Sequence, residues 1–420
     1  MSTPAAITGL GMVTPVGTKP AEVFDAVVAG HSGLARPAGA LAGLPDGRGG
    51  ALIEVVGACP PIDPLDVLPP KAGAAVDRFI LFALLAAEAA LADAGLVIGE
   101  NADPERVAVL VATSNGGMAT YEEQALLFHD RGRAAVSPYL LPGIMPNQPA
   151  ARIAIRFGVR GYTSGIVSAC AGGGQAIGEA LRLIRAGEAD VVLCGGTDAP
   201  LAAATIAGFS NAGALARGWS SPSEASRPFD SRRNGFVLAE GAGMLVIEST
   251  AHAQARKAKT HSLVLGWGAT TDAHHPTMPR PDGAGAAACM RKALADAGLT
   301  PADIGYINAH GTSTKLGDAA EATAIRAVFG ETTPPVSSTK GVTGHLLAAS
   351  GAVEAGITAL ALSTGTLPPT HNLTTPDCPL THITSPWSLG SPYALSNSFA
   401  FGGHNVSLVL GQAPTREART

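Results

Sequence analysis

ALADAGL at residues 90–96 recurs letter for letter at 293–299, and each copy closes an alanine-rich helical stretch. Each copy is also followed by an apolar, strand-like run and a turn rich in Gly, Ser and Thr: VAVLVATSNGG (107–117) in the first case, IGYINAHGTST (304–314) in the second. Helix, strand and polar turn recurring in the same order mark a chain built of two related α/β halves. Working outward, short β-branched runs at 5–11, 189–196, 242–248, 261–269 and 405–411 read as further strands. Helical patterns fall at 74–94, 171–187, 283–297, 318–329 and 344–363. Strands alternating with helices imply α/β layering. No Pro/Ser-rich linker or charge run separates the halves, so residues 1–255 and 256–412 are expected to share one packed unit, with 413–420 as a tail and 270–282 as a loop between layers.

The 420 residues include 46% hydrophobic, 15% charged and only 5% aromatic positions, with 52 glycines, a composition that excludes disorder and favours close packing of helices and strands. A net charge of −5 gives no general attraction for nucleic acid or an anionic membrane, so an acidic protein partner would need a local basic patch. The five cysteines are scattered without a CxxC pair, which argues against a disulfide framework or structural zinc and fits reduced thiols in a cytoplasm. The N-terminus has no signal-peptide pattern, and no stretch of apolar residues is long enough to span a bilayer.

Within IVSACAGGGQAIGEALRLIRAGEADVVLCGG (166–196), Cys170 stands after a small β-like run and before a helical pattern. A thiol at a helix start feels the positive end of the helix dipole, and free backbone N–H groups there can stabilise a thiolate and later an oxyanion. The glycines at 172–174 are expected to let a substrate approach the backbone. Cys59, Cys194, Cys289 and Cys378 lack such a setting and read as small buried hydrophobes.

Two more segments place a histidine in a small polar turn after an apolar run: NAHGTST with His310, and STKGVTGHLLAASGAVEA with Lys340 and His345. His345 is expected to open a helix, whose dipole disfavours imidazolium and keeps a neutral ring able to donate one N–H. A structural histidine is the bland reading of either one alone; three reactive side chains at comparable strand ends are harder to assign to packing. The His274–His275 pair lacks a metal-ligand set, and no metal site is expected.

These residues lie in seven ordered segments: ITGLGMVTPVG, SPYLLPGIMPNQPAARIAIRFGVRG, SACAGGGQAIG, SRPFDSRRNGFVLAEGAGMLVIE, NAHGTSTKLGD, STKGVTGHLLAASGAVEA and NSFAFGGHNVSLVL. Together they resemble the β-ketoacyl synthases, especially the elongating, acyl-carrier-protein-dependent type of fatty acid and type II polyketide pathways. The resemblance implies a thiolase-like five-layered αβαβα fold of two duplicated halves, usually dimeric, with Cys170 as acyl-carrying nucleophile and His310 and His345 as its partners. It implies no bound cofactor, and substrates carried on the phosphopantetheine of an acyl carrier protein. It also puts oxyanion donors at the backbones of Cys170 and Phe401, and a gate at Phe401 with Gly402 and Gly403. Lys340 and Glu321 would support the histidines, although Lys340 also reads as a plain structural ion pair.

Three departures from the family pattern stand out. Ala400 replaces the common glycine before the gate, the nucleophile turn reads CAGG rather than CASG, and Asn115 stands where elongating enzymes often have an apolar residue near the acyl pocket. A polar wall at Asn115 suits an acyl chain bearing unsaturation or oxygen. Lys71, Arg78, Arg217 and Arg227, with Arg232 and Arg233, are candidates for docking the carrier, and solvated surface charge is the alternative for each. The partner would be a second copy or a homologous chain-length subunit. Competing readings are a chain-length subunit without catalysis of its own, whose nucleophile position is typically not cysteine, and a thiolase-type acyltransferase, which often has asparagine in place of His345.

Overall fold

The computed structural model describes residues 3–47, 50–68 and 76–414. Its strands are β1 (Ala5–Val13), β2 (Val107–Ala112), β3 (Thr163–Ile166), β4 (Val191–Asp198), β5 (Gly241–Ser249), β6 (Ser262–Thr271), β7 (Tyr306–Asn308), β8 (Pro335–Ser337), β9 (Thr366–Leu367), β10 (Thr381–His382), β11 (Trp387–Ser388), β12 (Tyr393–Phe399) and β13 (His404–Gln412). β9 and β11 form a separate ribbon; the others run in the order β10-β8-β7-β12-β13-β6-β1-β5-β4-β2-β3. This row divides between β6 and β1, which pair only over Ala5–Ile7.

On one side of the division the order is β3-β2-β4-β5-β1, and on the other it is β8-β7-β12-β13-β6 with β10 added at the edge. Both sets begin with two parallel pairings and end with two antiparallel ones. The repeated heptapeptide closes equivalent helices, Arg78–Ala94 leading into β2 and Ala284–Ala297 leading into β7. A second equivalent pair, Gly172–Arg185 and Ala348–Thr364, follows β3 and β8. These two helices pack on each other and on strands of both sets, forming the middle layer, while Arg78–Ala94 covers β1 and β5 and Ala284–Ala297 covers β6 and β13. The layers therefore alternate α, β, α, β, α.

Because helices cover both faces of each sheet, central strands need apolar residues at consecutive positions: every residue of β1 and β2 is buried. Helix starts are set by side-chain caps. Asp77 accepts from the Phe79 N–H, so the helix expected from residue 74 begins at Arg78 after described residues 76 and 77, and positions 74 and 75 lie outside the described residues. Thr314 caps Lys315–Phe329 in the same way, three residues earlier than expected. The last long helix starts at Ala348, not 344, because the His345 N–H donates to Val237 O (2.8 Å) and Ala239 N–H returns to His345 O (3.0 Å), holding that residue in extended backbone. β6 runs to Thr271, so the interlayer loop begins at Asp272.

The glycines at 172–174 have a different purpose from the one expected of them. A Cβ on Gly173 would lie 2.5 Å from Ala348 O, and one on Gly351 would lie 2.7 Å from Gly174 N. They let the two middle-layer helices touch backbone to backbone; all three are buried and none lines the cavity. Among the described residues, no helix is long and apolar enough to cross a membrane.

Candidate active site

The middle-layer helices bring their N-terminal ends to one cavity of about 420 Å³, lined among others by Cys170, His310, His345, Asn115, Phe209 and Phe401. Cys170 sits in the tight turn Ala169–Ala171 between β3 and the helix Gly172–Arg185. Ala169 has φ 48°, a left-handed conformation that turns the chain sharply and presents the half-buried thiol.

His345 approaches from the opposite half. Its Nε2 lies 3.1 Å from Cys170 Sγ, and its Nδ1 lies 3.1 Å from Ser350 Oγ. Ser350 Oγ already accepts the Leu346 N–H (3.0 Å), which leaves its own hydrogen to donate to Nδ1. That arrangement puts the ring proton on Nε2, facing the sulfur and the cavity. The His310 ring stands 5.3 Å from the His345 ring at 83°, at the end of β7. Burial, reinforced by the Lys340 cation, pushes both imidazoles well below their usual range and keeps them neutral.

Glu321 and Lys340 act on the His310 backbone rather than on its ring. The Glu321 carboxylate accepts from the N–H groups of His310 (2.8 Å) and Gly311 (2.7 Å), and Lys340 Nζ donates to His310 O (2.5 Å). Lys340 is fully buried, and its ion-pair partner is Glu354. Sequence reasoning passed over Glu354; the available signal was a single carboxylate inside the otherwise uncharged helix Ala348–Thr364. It also passed over Asp198, a buried carboxylate at the end of β4 that accepts from the Ala348 N–H (2.7 Å).

The expectation of a stabilised thiolate at rest is not met. Burial pushes the Cys170 thiol up to about 12, and the Asp198 carboxylate adds to the effect while Lys340 opposes it. Desolvation outweighs the helix end and favours the protonated thiol.

Phe401 stands at the cavity with 38% of its surface exposed, its ring 6.3 Å from Phe209. Gly402 and Gly403 after it have φ 82° and 74°, which only glycine adopts freely. The Gly402 N–H donates to Pro276 O (2.7 Å) and the Asp272 N–H to Gly403 O (2.8 Å), so this turn is tied to the interlayer loop. Ala400 is extended (φ −139°, ψ 161°), a conformation alanine adopts without strain. Asn115 lines the cavity and is exposed.

The proposed docking residues divide. Arg227 is buried, bonded to Asp230 (2.8 Å) and stacked 4.8 Å from the Trp219 ring, so it cannot meet a carrier surface; its charge is satisfied internally. Arg233 is buried in the same network. Arg78 pairs with Glu240 (2.7 Å) but keeps 40% of its side chain exposed, and Arg217 is half-exposed beside Ser210. Arg232 is exposed. Lys71 lies outside the described residues. In the interlayer loop, His275 Nδ1 accepts from the N–H groups of Thr277 and Met278 (both 3.1 Å), a turn-forming role.

Residues 2–253 match the family model described as the β-ketoacyl synthase N-terminal domain, and residues 261–374 match the corresponding C-terminal domain. The chain is 40% identical over 410 residues to a 3-oxoacyl-[acyl-carrier-protein] synthase 2 of Synechocystis sp., covering 96% of this chain and 97% of that one. Among solved structures, the ishigamide ketosynthase/chain length factor superposes with a TM-score of 0.89 at 32% identity, covering 99% of this chain and 100% of that one. A type II polyketide synthase acyl-carrier protein in complex with its ketosynthase, bound to the hexaketide, gives a TM-score of 0.89 at 30% identity over 98% of this chain and 100% of that one.

Proposed function

Because the chain belongs to the β-ketoacyl synthase family, we propose that it performs the decarboxylative Claisen condensation of an acyl-enzyme thioester with malonyl-acyl carrier protein, using Cys170, His310 and His345. The observation that carries this reading is the convergence of the three side chains on one cavity, with His345 Nε2 at 3.1 Å from Cys170 Sγ and the two imidazole rings 5.3 Å apart.

In the first half-reaction Cys170 Sγ attacks the thioester carbonyl of the acyl carrier, and the phosphopantetheine thiol leaves with the proton that the cysteine gives up. Malonyl carrier then enters. Its carboxylate–carbon bond breaks, carbon dioxide departs, and the electron pair passes into a thioester enolate. Two neutral N–H donors, one from each imidazole, stabilise the enolate oxygen without a formal charge to neutralise. The enolate carbon attacks the acyl-cysteine, the backbone N–H groups of Cys170 and Phe401 hold the tetrahedral oxyanion, and collapse expels the cysteine sulfur, which takes up a proton. Phe401, hinged on Gly402 and Gly403, closes the acyl pocket between the half-reactions.

Carrier protein docks on exposed basic groups, of which Arg78, Arg217 and Arg232 remain candidates. The boundary between halves lies at 255–256, between the helix Thr250–Ala255 and β6. The enzyme acts in the cytoplasm, paired with a second copy or a homologous chain-length subunit. Asn115 in the cavity wall favours acyl chains bearing unsaturation or oxygen, as in polyketide or polyene synthesis, over plain saturated ones.

The test is incubation with malonyl-loaded carrier and a labelled acyl carrier, with mass spectrometry of the enzyme and product. Label on Cys170 and a chain longer by two carbons are expected. Labelling elsewhere, or hydrolysis without extension, would sink the proposal.

A further inference from the structure

Asp198 ends β4 and is fully enclosed. Its carboxylate accepts from the Thr113 hydroxyl (2.8 Å), the Ser114 N–H (3.0 Å) and hydroxyl (2.8 Å), and the Ala348 N–H (2.7 Å). One buried anion thereby joins three segments: the turn after β2 that carries Asn115 into the cavity, the end of β4, and the first residue of the helix Ala348–Thr364. So many donors on one carboxylate fix it, and through it they fix one another.

Immediately before Ala348, Leu347 has φ 51° and ψ −123°, a conformation that leucine avoids. Its side chain is buried in the cluster that contains Phe236 and Leu238 and against which Cys170 packs. His345 lies two residues upstream. A residue in such a conformation persists only where its surroundings over-determine it. Here the supports are the Val237 carbonyl on His345, the Ser350 hydroxyl on Leu346 and the Asp198 carboxylate on Ala348.

We propose that Asp198 is a positioning residue for condensation: by holding the Ala348 N–H it locks the strained Leu347 turn, which keeps His345 aligned on Cys170 and in register with the acyl-pocket wall at Ser114 and Asn115. The inference rests on the reading of Cys170 and His345 as reacting groups. Its chemistry is mechanical, since Asp198 touches no substrate. If the turn relaxes, the imidazole drifts, and a displacement on the order of 1 Å costs about a hundredfold in rate.

The same carboxylate leaves a second mark that packing alone would not. Asp198 and Glu354 both disfavour the Cys170 thiolate, and Lys340 favours it; the neutral His345 and His310 add no charge. Burial raises the Asp198 carboxyl itself to about 6, so its charge is present above that pH and lost below it. Removing the charge therefore makes the thiol ionise at lower pH, and only above about pH 6 does the difference from the parent protein exist.

The experiment compares the full-length protein with Asp198→Asn and Leu347→Gly for condensation kcat, carrier KM, melting temperature and the pH profile of Cys170 alkylation by iodoacetamide. Asp198→Asn is expected to lower kcat about 10- to 100-fold with KM changed less than about threefold, and to move alkylation to lower pH. Leu347→Gly, in which glycine adopts the turn freely but a buried side chain is lost from the cluster with Phe236 and Leu238, is expected to lower both kcat, at least about tenfold, and the melting temperature. Parent-like kcat in either folded variant, or an alkylation profile unmoved in Asp198→Asn, overturns the proposal. If Asp198→Asn does not fold, Leu347→Gly alone decides. Cys170→Ala run in parallel separates the two levels: continued condensation by that variant would defeat the reading of the site, whereas a dead Cys170→Ala beside an unaffected Leu347→Gly defeats only the role of Asp198.

Discussion

Cys170, His310 and His345, which the fold brings to one cavity, could be singled out as candidates because reactive side chains in small polar turns after apolar strands have few packing reasons to be there. Of their supports, Lys340 and Glu321 were named through the family resemblance, but Glu354 and Asp198 were not. Those two are lone carboxylates in otherwise uncharged elements, and what gives them meaning, a buried ammonium in one case and a helix N-terminus in the other, comes from segments distant in the chain. The Lys340–Glu354 pair has an energetic consequence that can be measured. Both side chains are almost wholly buried, so removing one partner strands an ion in a medium of low polarizability. Lys340→Met is expected to destabilise the protein by about 3–5 kcal/mol, and the double change Lys340→Met/Glu354→Gln to recover most of that loss. Denaturant titration of the parent, the single and the double variants reads both terms. Equal losses in the single and double variants would mean that the bond from Lys340 to His310 O, rather than the ion pair, carries the stability.

At the scale of elements, the repeated heptapeptide disclosed the duplication because the equivalent helices Arg78–Ala94 and Ala284–Ala297 kept the same alanine-rich surface against their sheets. Sequence pattern placed the five helices it named with errors mainly at their starts, where a cap or a tertiary hydrogen bond decides, but it passed over the helices Pro20–Ala29, Met118–Arg131 and Gln148–Phe157 and the strand β12. The glycine run at 172–174 was misread for a related reason: glycine marks close approach of something, and only the fold says of what. Here it is the neighbouring helix. With Ala348 O and Ala352 N at 2.5 and 2.8 Å from a Cβ on Gly173, neither middle-layer helix can accommodate a methyl without moving. Gly173→Ala is expected to cost about 1–3 kcal/mol and to part the helices that carry Cys170 and follow His345, lowering condensation kcat more than carrier KM. Thermal melting with steady-state kinetics checks this; a variant with parent-like stability would show that the interface yields more readily than its geometry implies.

Over the whole molecule, one face is left unfinished by the single chain. The row of strands ends at β3, whose outer edge has no neighbour among the described residues, and an open edge invites another strand. The helix Met118–Arg131 has no buried residue and its Leu126 and Phe128 expose 58% and 59% of their surface, while Tyr162 and Val167 flank the strand equally bare. Charge pattern in the sequence could not disclose this face, because its apolar residues are dispersed over some forty positions and assemble only when the sheet forms. Asn115 lines the acyl cavity and is itself exposed, so a subunit packed over it would close that wall. The face thus suits the second copy or homologous subunit expected of this family, joined edge to edge. Leu126→Glu/Phe128→Glu changes only exposed side chains and is expected to preserve the fold while driving the assembly to monomer in sedimentation velocity. Because the acyl cavity then opens to water, the monomer should extend its acyl chain at least about tenfold more slowly, since the reaction loses its dry, positioned site. A variant that sediments with its partner still bound would place the interface elsewhere. A monomer as active as the parent would show that each chain closes its own pocket.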